Sequence, residues 1–220
     1  MKTTARFILL LLSAILLNAC EIDSYETGDG SYSYLKAEFV EAHSAEGGSV
    51  DWADTDEGVH LILSPQASAT WAKTPDSLYR ALLYYNNVGE TTVEPISISQ
   101  VLTLKWRSRE QVDTVYEDPL QFESAWISGN KKYLNIGFFV KSGQSEGIDQ
   151  TQQVGILCDS MRTDADGKRH VFLRMMHHQN GVPQYYSVRG YASVPLADTL
   201  RDSRFHLVVP TYDGVVEKDL

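Results

Sequence analysis

Cysteine is nearly missing from this sequence: Cys20 and Cys158 are the two in 220 residues. A framework of several intramolecular disulfides is therefore excluded. Long apolar runs are scarce as well. The one at 7–17 holds about eleven residues, roughly 16 Å as a helix and half a hydrocarbon core, so it is too short to span a bilayer. Basic residues are few in the front half, where 21–118 carries 18 Asp and Glu against 6 Lys and Arg, while 119–220 carries 11 of each. Phosphate-backbone binding runs on Lys and Arg, so no nucleic-acid partner is expected. Such an excess suits solubility or a basic protein or peptide partner.

Metal-ligand spacing is also lacking. His177 and His178 are neighbours on a strand pattern, so they point to opposite faces and cannot share an ion. No His-x-x-x-His or Cys-x-x-Cys occurs, and neither metal nor cofactor is expected. Asp164, Asp166 and Gly167 look like part of a calcium loop but lack its distal Glu, and a hairpin turn accounts for them. "GQSEG" at 143–147 matches the nucleophile elbow around Ser145, yet no helix follows to receive the turn. With no convergent acid, base or nucleophile, no catalytic residue is assigned and an enzyme is not expected.

What is present begins at the N-terminus. Lys2 and Arg6 precede the apolar run, the layout of an export signal. Leu17-Asn18-Ala19-Cys20 resembles a bacterial lipobox, which makes Cys20 the lipidated first residue of the mature chain. Residues 1–19 are then the signal peptide and 20–33, acidic and rich in small polar residues, a tether. A lipidated Cys20 cannot pair with Cys158, which alternates with Val154 and Ile156 and reads as a small core residue. The acidic "EIDSYE" behind Cys20 resembles surface-export signals. It favours the outer membrane and leaves the leaflet open.

From Tyr34 onward the hydrophobic period is two. Leu35, Ala37 and Phe39 are expected on one buried face, then Val59, Leu61 and Leu63, then Ile96, Ile98, Leu102, Leu104 and Trp106. "KTPDSLYRALLYYN" is open between a helix started at Thr74-Pro75 and a strand. The charged stretch ending at Asp118-Pro119 is the best boundary, giving a domain at 34–107, a linker at 108–118 and a second domain at 119–220. In that second domain Gly129-Asn130, Asp166-Gly167, Asn180-Gly181 and Asp213-Gly214 sit between strand patterns, as tight hairpins require. The expectation is an all-β chain ending in an antiparallel sandwich, with Leu134, Ile136, Phe138 and Val140 inward.

Two surfaces stand out as binding candidates. Asp51, Asp54, Asp56 and Glu57 in "DWADTDEG" form a possible acidic patch. Tyr185, Arg189 and Tyr191 share one strand face, opposite Tyr186, Val188, Ala192 and Val194, and are residue types enriched at interface anchors.

"AWISGNKKYLNIGFFVKSG", "VFLRMMHHQNGVPQYYSVRGYASVPL" and "VVPTYDGVVEKDL" resemble the NigD-like lipoproteins of Bacteroides-type bacteria. The resemblance implies an N-terminal OB-like barrel before a C-terminal Ig-like β-sandwich, and a non-enzymatic envelope lipoprotein that binds a protein or peptide. The family's name also implies an alternative, an immunity-type protein that intercepts a bacteriocin.

Overall fold

A computed structural model describes residues 34–147 and 149–220. The expected signal peptide and the expected tether with Cys20 lie outside the described residues. Among the described residues there is no α-helix, only 3₁₀ turns at Arg109–Gln111 and Asp198–Leu200. No helix there is long and apolar enough to cross a membrane.

Five strands close a barrel: β1 (Lys36–Ala45), β2 (Ser49–Thr55), β3 (His60–Ser68), β4 (Ser77–Asn87) and β5 (Thr92–Gln100). Their order is β1-β2-β3-β5-β4, with β4 pairing back onto β1. The β3–β5 pair is parallel and the other pairs are antiparallel. This is the expected five-stranded OB-like closure, which leaves no open edge. Gly47 and Gly48, at φ 75° and 73°, make the β1–β2 turn that a side chain would strain. Val40, Ala42, Leu61, Leu63 and Leu83 fill the barrel.

The inward phase of β1 corrects the sequence expectation. Val40 and Ala42 point to the core, while Ala37 is exposed and Phe39 packs on the outside. Val59 is likewise exposed, unlike Leu61 and Leu63. The ambiguous segment is the strand β4, buried almost without interruption from Arg80 to Leu83. One of its faces lines the barrel and the other is covered by the second domain, so neither shows a clean alternation.

That second domain has two sheets. The larger contains β7 (Arg107–Ser108), β10 (Gln153–Thr163), β11 (Arg169–His178), β13 (Arg204–Thr211) and β14 (Gly214–Asp219), ordered β14-β13-β11-β10-β7. The smaller contains β6 (Leu102–Thr103), β8 (Gln121–Ile127), β9 (Tyr133–Ser142) and β12 (Tyr186–Pro195), ordered β6-β12-β9-β8. Leu134, Ile136, Ile156, Leu173, Ala192 and Phe205 form the core between them. Cys158 is buried in that core.

The sandwich is mixed rather than purely antiparallel, since β11–β13, β10–β7 and β12–β6 run parallel. Three of the four expected turns join paired antiparallel neighbours. The fourth, Asn180-Gly181 with φ 50° and 74°, instead carries the chain from one sheet to the other. The run Ile96–Trp106 is also divided. Its front pairs in the barrel, and beyond Val101 the chain joins the sandwich through β6 and β7, ahead of the stretch 108–118 that the sequence marks as linker.

Candidate functional site

The residues that sequence reasoning singles out fall into three environments. Asp56 is at the junction of barrel and sandwich. Its carboxylate accepts two hydrogen bonds from the Arg80 guanidinium, both 2.6 Å, and a third from Asn135 Nδ2 at 3.1 Å. Arg80 Nε donates to Ser193 Oγ at 3.0 Å, and Ser193 Oγ donates to Asn135 Oδ1 at 2.7 Å. The guanidinium also lies 4.1 Å from the Tyr133 ring centre. With the Arg80 side chain 2% exposed, this is a buried and mutually satisfied charge network. Burial pushes the Tyr133 phenol up to about 12, helped by the Glu41 carboxylate that accepts its hydrogen bond at 2.9 Å.

Asp51 and Asp54 lie on the outer surface of the barrel, each beside a histidine. Asp51 Oδ1 is 2.7 Å from His43 Nδ1, and Asp54 Oδ1 is 2.7 Å from His60 Nδ1. Trp52 lies between the two imidazoles, stacked on His43 at 4.6 Å and tilted against His60 at 5.0 Å. Of the four candidate acids only Glu57 is exposed, its carboxylate lying over Gly129. Three of the four are thus engaged locally, in two separate places.

The Tyr185–Arg189–Tyr191 face divides in the same way. Arg189 forms a two-point pair with Glu123, at 2.9 and 2.7 Å, and its guanidinium sits 4.9 Å from the Tyr191 ring centre. Tyr191 meets Phe39 of the barrel edge-on at 5.2 Å, and Phe39 meets Trp126 at 5.4 Å. These rings join the domains, and Phe39 is drawn outward by that contact. Tyr185, 70% exposed, rests its ring against Gly143. Gly143 allows this position: a Cβ there would come within 2.7 Å of the Tyr185 ring.

Sequence reasoning missed the feature beside Tyr185. Tyr186 and Val188 have the inward phase of β12, as expected, yet they are 52% and 42% exposed. The facing sheet does not cover this end of the strand. The result is a groove of about 480 Å³ with Phe138, Val140, Val154 and Val182 as its apolar floor. Gln144, Asp149, Gln150, Thr151 and Gln152 provide a polar wall. The available signal was an alternating strand starting three residues after Pro183, where inward residues have nothing opposite.

His177, behind that wall, is fully buried. Its Nδ1 is 3.1 Å from the Asp118 carbonyl oxygen and its Nε2 is 3.0 Å from Gln152 Oε1. Burial holds its proton affinity below the ordinary histidine value, against the opposing pull of the Asp118 and Pro119 backbone. Gln152 is pinned further by donating from Nε2 to the Lys141 carbonyl. His178 stacks on Tyr116 at 3.8 Å on the other side of the strand. Ser145 lies in the exposed segment after β9, with no helix following it. Asp164 and Gly167 form the β10–β11 turn, where Asp164 Oδ1 accepts the Lys168 backbone N–H. Among the described residues, no group of three or more His, Cys, Asp or Glu is placed to hold a metal ion.

Comparison with known proteins places this geometry. No curated protein matches the chain. A solved NigD-like immunity protein of Bacteroides caccae is 22% identical, with TM-score 0.62, over 83% of this chain and 91% of that one. A candidate toxin-related protein of Parabacteroides distasonis is 18% identical, with TM-score 0.61, over 84% and 92%. A candidate lipoprotein of Bacteroides fragilis is 13% identical, with TM-score 0.55, over 84% and 96%. At these identities the likeness establishes the shared barrel-plus-sandwich fold. Residues 103–208 match the model of the NigD-like C-terminal beta sandwich domain, beginning within β6 where strand pairing also starts the sandwich. Residues 103–208 are thus a NigD-like C-terminal beta sandwich domain.

Proposed function

We propose that the protein is an envelope lipoprotein, anchored through Cys20, whose sandwich captures a protein or peptide partner and carries out no reaction. The observation that carries the binding reading is the uncovered end of β12. There Tyr186 and Val188, both exposed, line a groove with a hydrophobic floor. Exposed aromatic side chains rimmed by polar groups are the chemistry of an interaction site. The anchor reading is supported by the leader and lipobox-like sequence before Cys20, and the outer membrane by the acidic residues behind it. Two or more acyl chains hold a protein durably at a bilayer, where one holds weakly.

The partner expected is a segment with one or two bulky apolar side chains and a basic residue, the latter facing Asp149 on the polar wall. The lipid-free body, immobilised and exposed to envelope fractions, should retain such a partner. Val188→Asp should lose it while keeping the melting temperature within a few degrees. Equal retention by Val188→Asp would sink the groove, and so would retention lost only after Asp51, Asp54, Asp56 and Glu57 are changed to Ser. Incorporation of a palmitate analogue that disappears in Cys20→Ser tests the anchor separately.

A second reading, interception of a bacteriocin, is supported by the description of the Bacteroides caccae relative as an immunity protein. Many such toxins are basic, so salt-sensitive retention that weakens in Asp149→Asn favours it. Retention of a resident envelope protein without salt dependence favours the first reading.

A further inference from the structure

Four titratable side chains form a row across the outer face of the larger sheet, remote in the fold from the β12 groove. Asp164 Oδ2, in the β10–β11 turn, is 3.1 Å from His170 Nε2. His170 Nδ1 is 2.8 Å from His206 Nε2, and His206 Nδ1 is 2.6 Å from Asp219 Oδ1. The residues come from the turn, β11, β13 and β14 in turn, so the row ties the C-terminal strand to the middle of the sheet. The two imidazoles are nearly coplanar, at 4°, with centres 5.1 Å apart. That separation is what two rings meeting nitrogen to nitrogen at 2.8 Å require, so they lie end to end.

Proton counting then limits the row. It has three gaps between polar atoms, and each needs one proton to be a hydrogen bond rather than a contact between lone pairs. Ionised carboxylates bring none. Two neutral imidazoles bring two. Wherever those two sit, one gap is left with lone pair facing lone pair. A metal ion does not resolve the central gap: imidazole nitrogens bind at about 2.0–2.1 Å, which puts two in-line nitrogens about 4 Å apart. At 2.8 Å the gap fits a proton.

We propose that Asp164, His170, His206 and Asp219 form a proton-operated fastener, complete only while it holds a third proton; with two, each imidazole donates to its own carboxylate and the link between β11 and β13 opens. The inference is independent of what the groove binds. The neighbouring charges are accounted for. On β10, Arg162 lies over the Phe172 ring at 4.8 Å. On β11, Arg174 is taken up by Asp159 and Glu117. Arg204 on β13 is the register partner of His170, and Glu217 on β14 shares the face of Asp219. Phe172 covers one face of His206, with ring centres 4.6 Å apart.

The experiment is nitrogen NMR on the full soluble body labelled at histidine. A scalar coupling between His170 Nδ1 and His206 Nε2 should appear in mildly acidic buffer and vanish as the pH rises, with the circular dichroism unchanged. In the same range, amide exchange in β13 should rise beyond the ordinary base-catalysed increase. His206→Gln should show that extra exchange at every pH. Asp219→Asn keeps an acceptor but removes a charge, and should lose the coupling at a lower pH than the parent. A folded protein without the coupling at any pH overturns the proposal. So does a coupling that persists unchanged in alkali, or a β13 exchange profile identical in His206→Gln.

Discussion

His177 is a buried base whose surroundings resist its charged form, and this has a definite consequence for pH. Above pH 6.5, the ordinary histidine value, the ring is neutral both folded and unfolded and adds no pH slope. As the pH falls below that value the unfolded chain takes up a proton while the native ring does not. Stability therefore declines until the pH reaches the lowered native value, with a limiting slope of about 1.4 kcal/mol per pH unit. His177→Gln should flatten the acid side of a stability-versus-pH curve relative to the parent. Urea melts at several pH values check this, and parallel curves for the two proteins would show that His177 contributes no linkage. Tyr133 gives the opposite limb. Its phenol stays protonated up to about 12 in the folded chain, so its contribution is present below pH 10 and declines between those values. A titration at 295 nm should show Tyr133 lagging behind the exposed tyrosines, together with Tyr85, which burial and Glu38 push higher still.

At the scale of strands, the junction is the informative part. β6 pairs with β12 and β7 with β10, each through two residues, and each is a terminal strand of its sheet. A fragment begun at 119 lacks both and leaves two long strands with open hydrogen-bonding edges, a recognised route to aggregation. A fragment begun at 101 keeps both and should be monomeric by light scattering under conditions where the shorter one associates. Much of the fold was legible from alternation and turn chemistry, including β9's inward Leu134, Ile136 and Phe138 and the turns at Gly129, Asp166 and Asp213. Alternation failed where a second body covers the outer face. Phe39 looked like core because it is apolar, and it is partly buried, but against Trp126 and Tyr191. Arg80 is a lone arginine in an apolar strand, and its partners Asn135 and Ser193 lie 55 and 113 residues away, beyond any local pattern. Asn180-Gly181 has the chemistry of a hairpin turn, yet turn residues do not reveal whether the next strand pairs with the last or crosses to the other sheet.

For the whole molecule, the question is whether barrel and sandwich unfold together. The contact between them has a polar centre, Arg80 with Asp56, Asn135 and Ser193, flanked by the Phe39–Trp126–Tyr191 rings and by Glu41 with Tyr133 and Lys132. Arg80 and Asp56 both belong to the barrel, while the groups completing their hydrogen bonding belong to the sandwich. Separating the domains would strip those partners from a charge pair seated beneath them, so neither domain keeps its own stability when the other unfolds. One cooperative calorimetric transition is expected for the intact body. Arg80→Met leaves the Asp56 carboxylate uncompensated under Asn135, a loss of about 3–5 kcal/mol for breaking a buried pair from one side. The damage falls on the barrel and on the contact, so the variant should show two transitions, the barrel's first. Adding Asp56→Asn to Arg80→Met removes the stranded charge and should bring the two transitions back toward each other. If Arg80→Met instead melts in one transition at an unchanged temperature, the buried network does not couple the domains, and the contacts around Phe39 and Glu41 must do so.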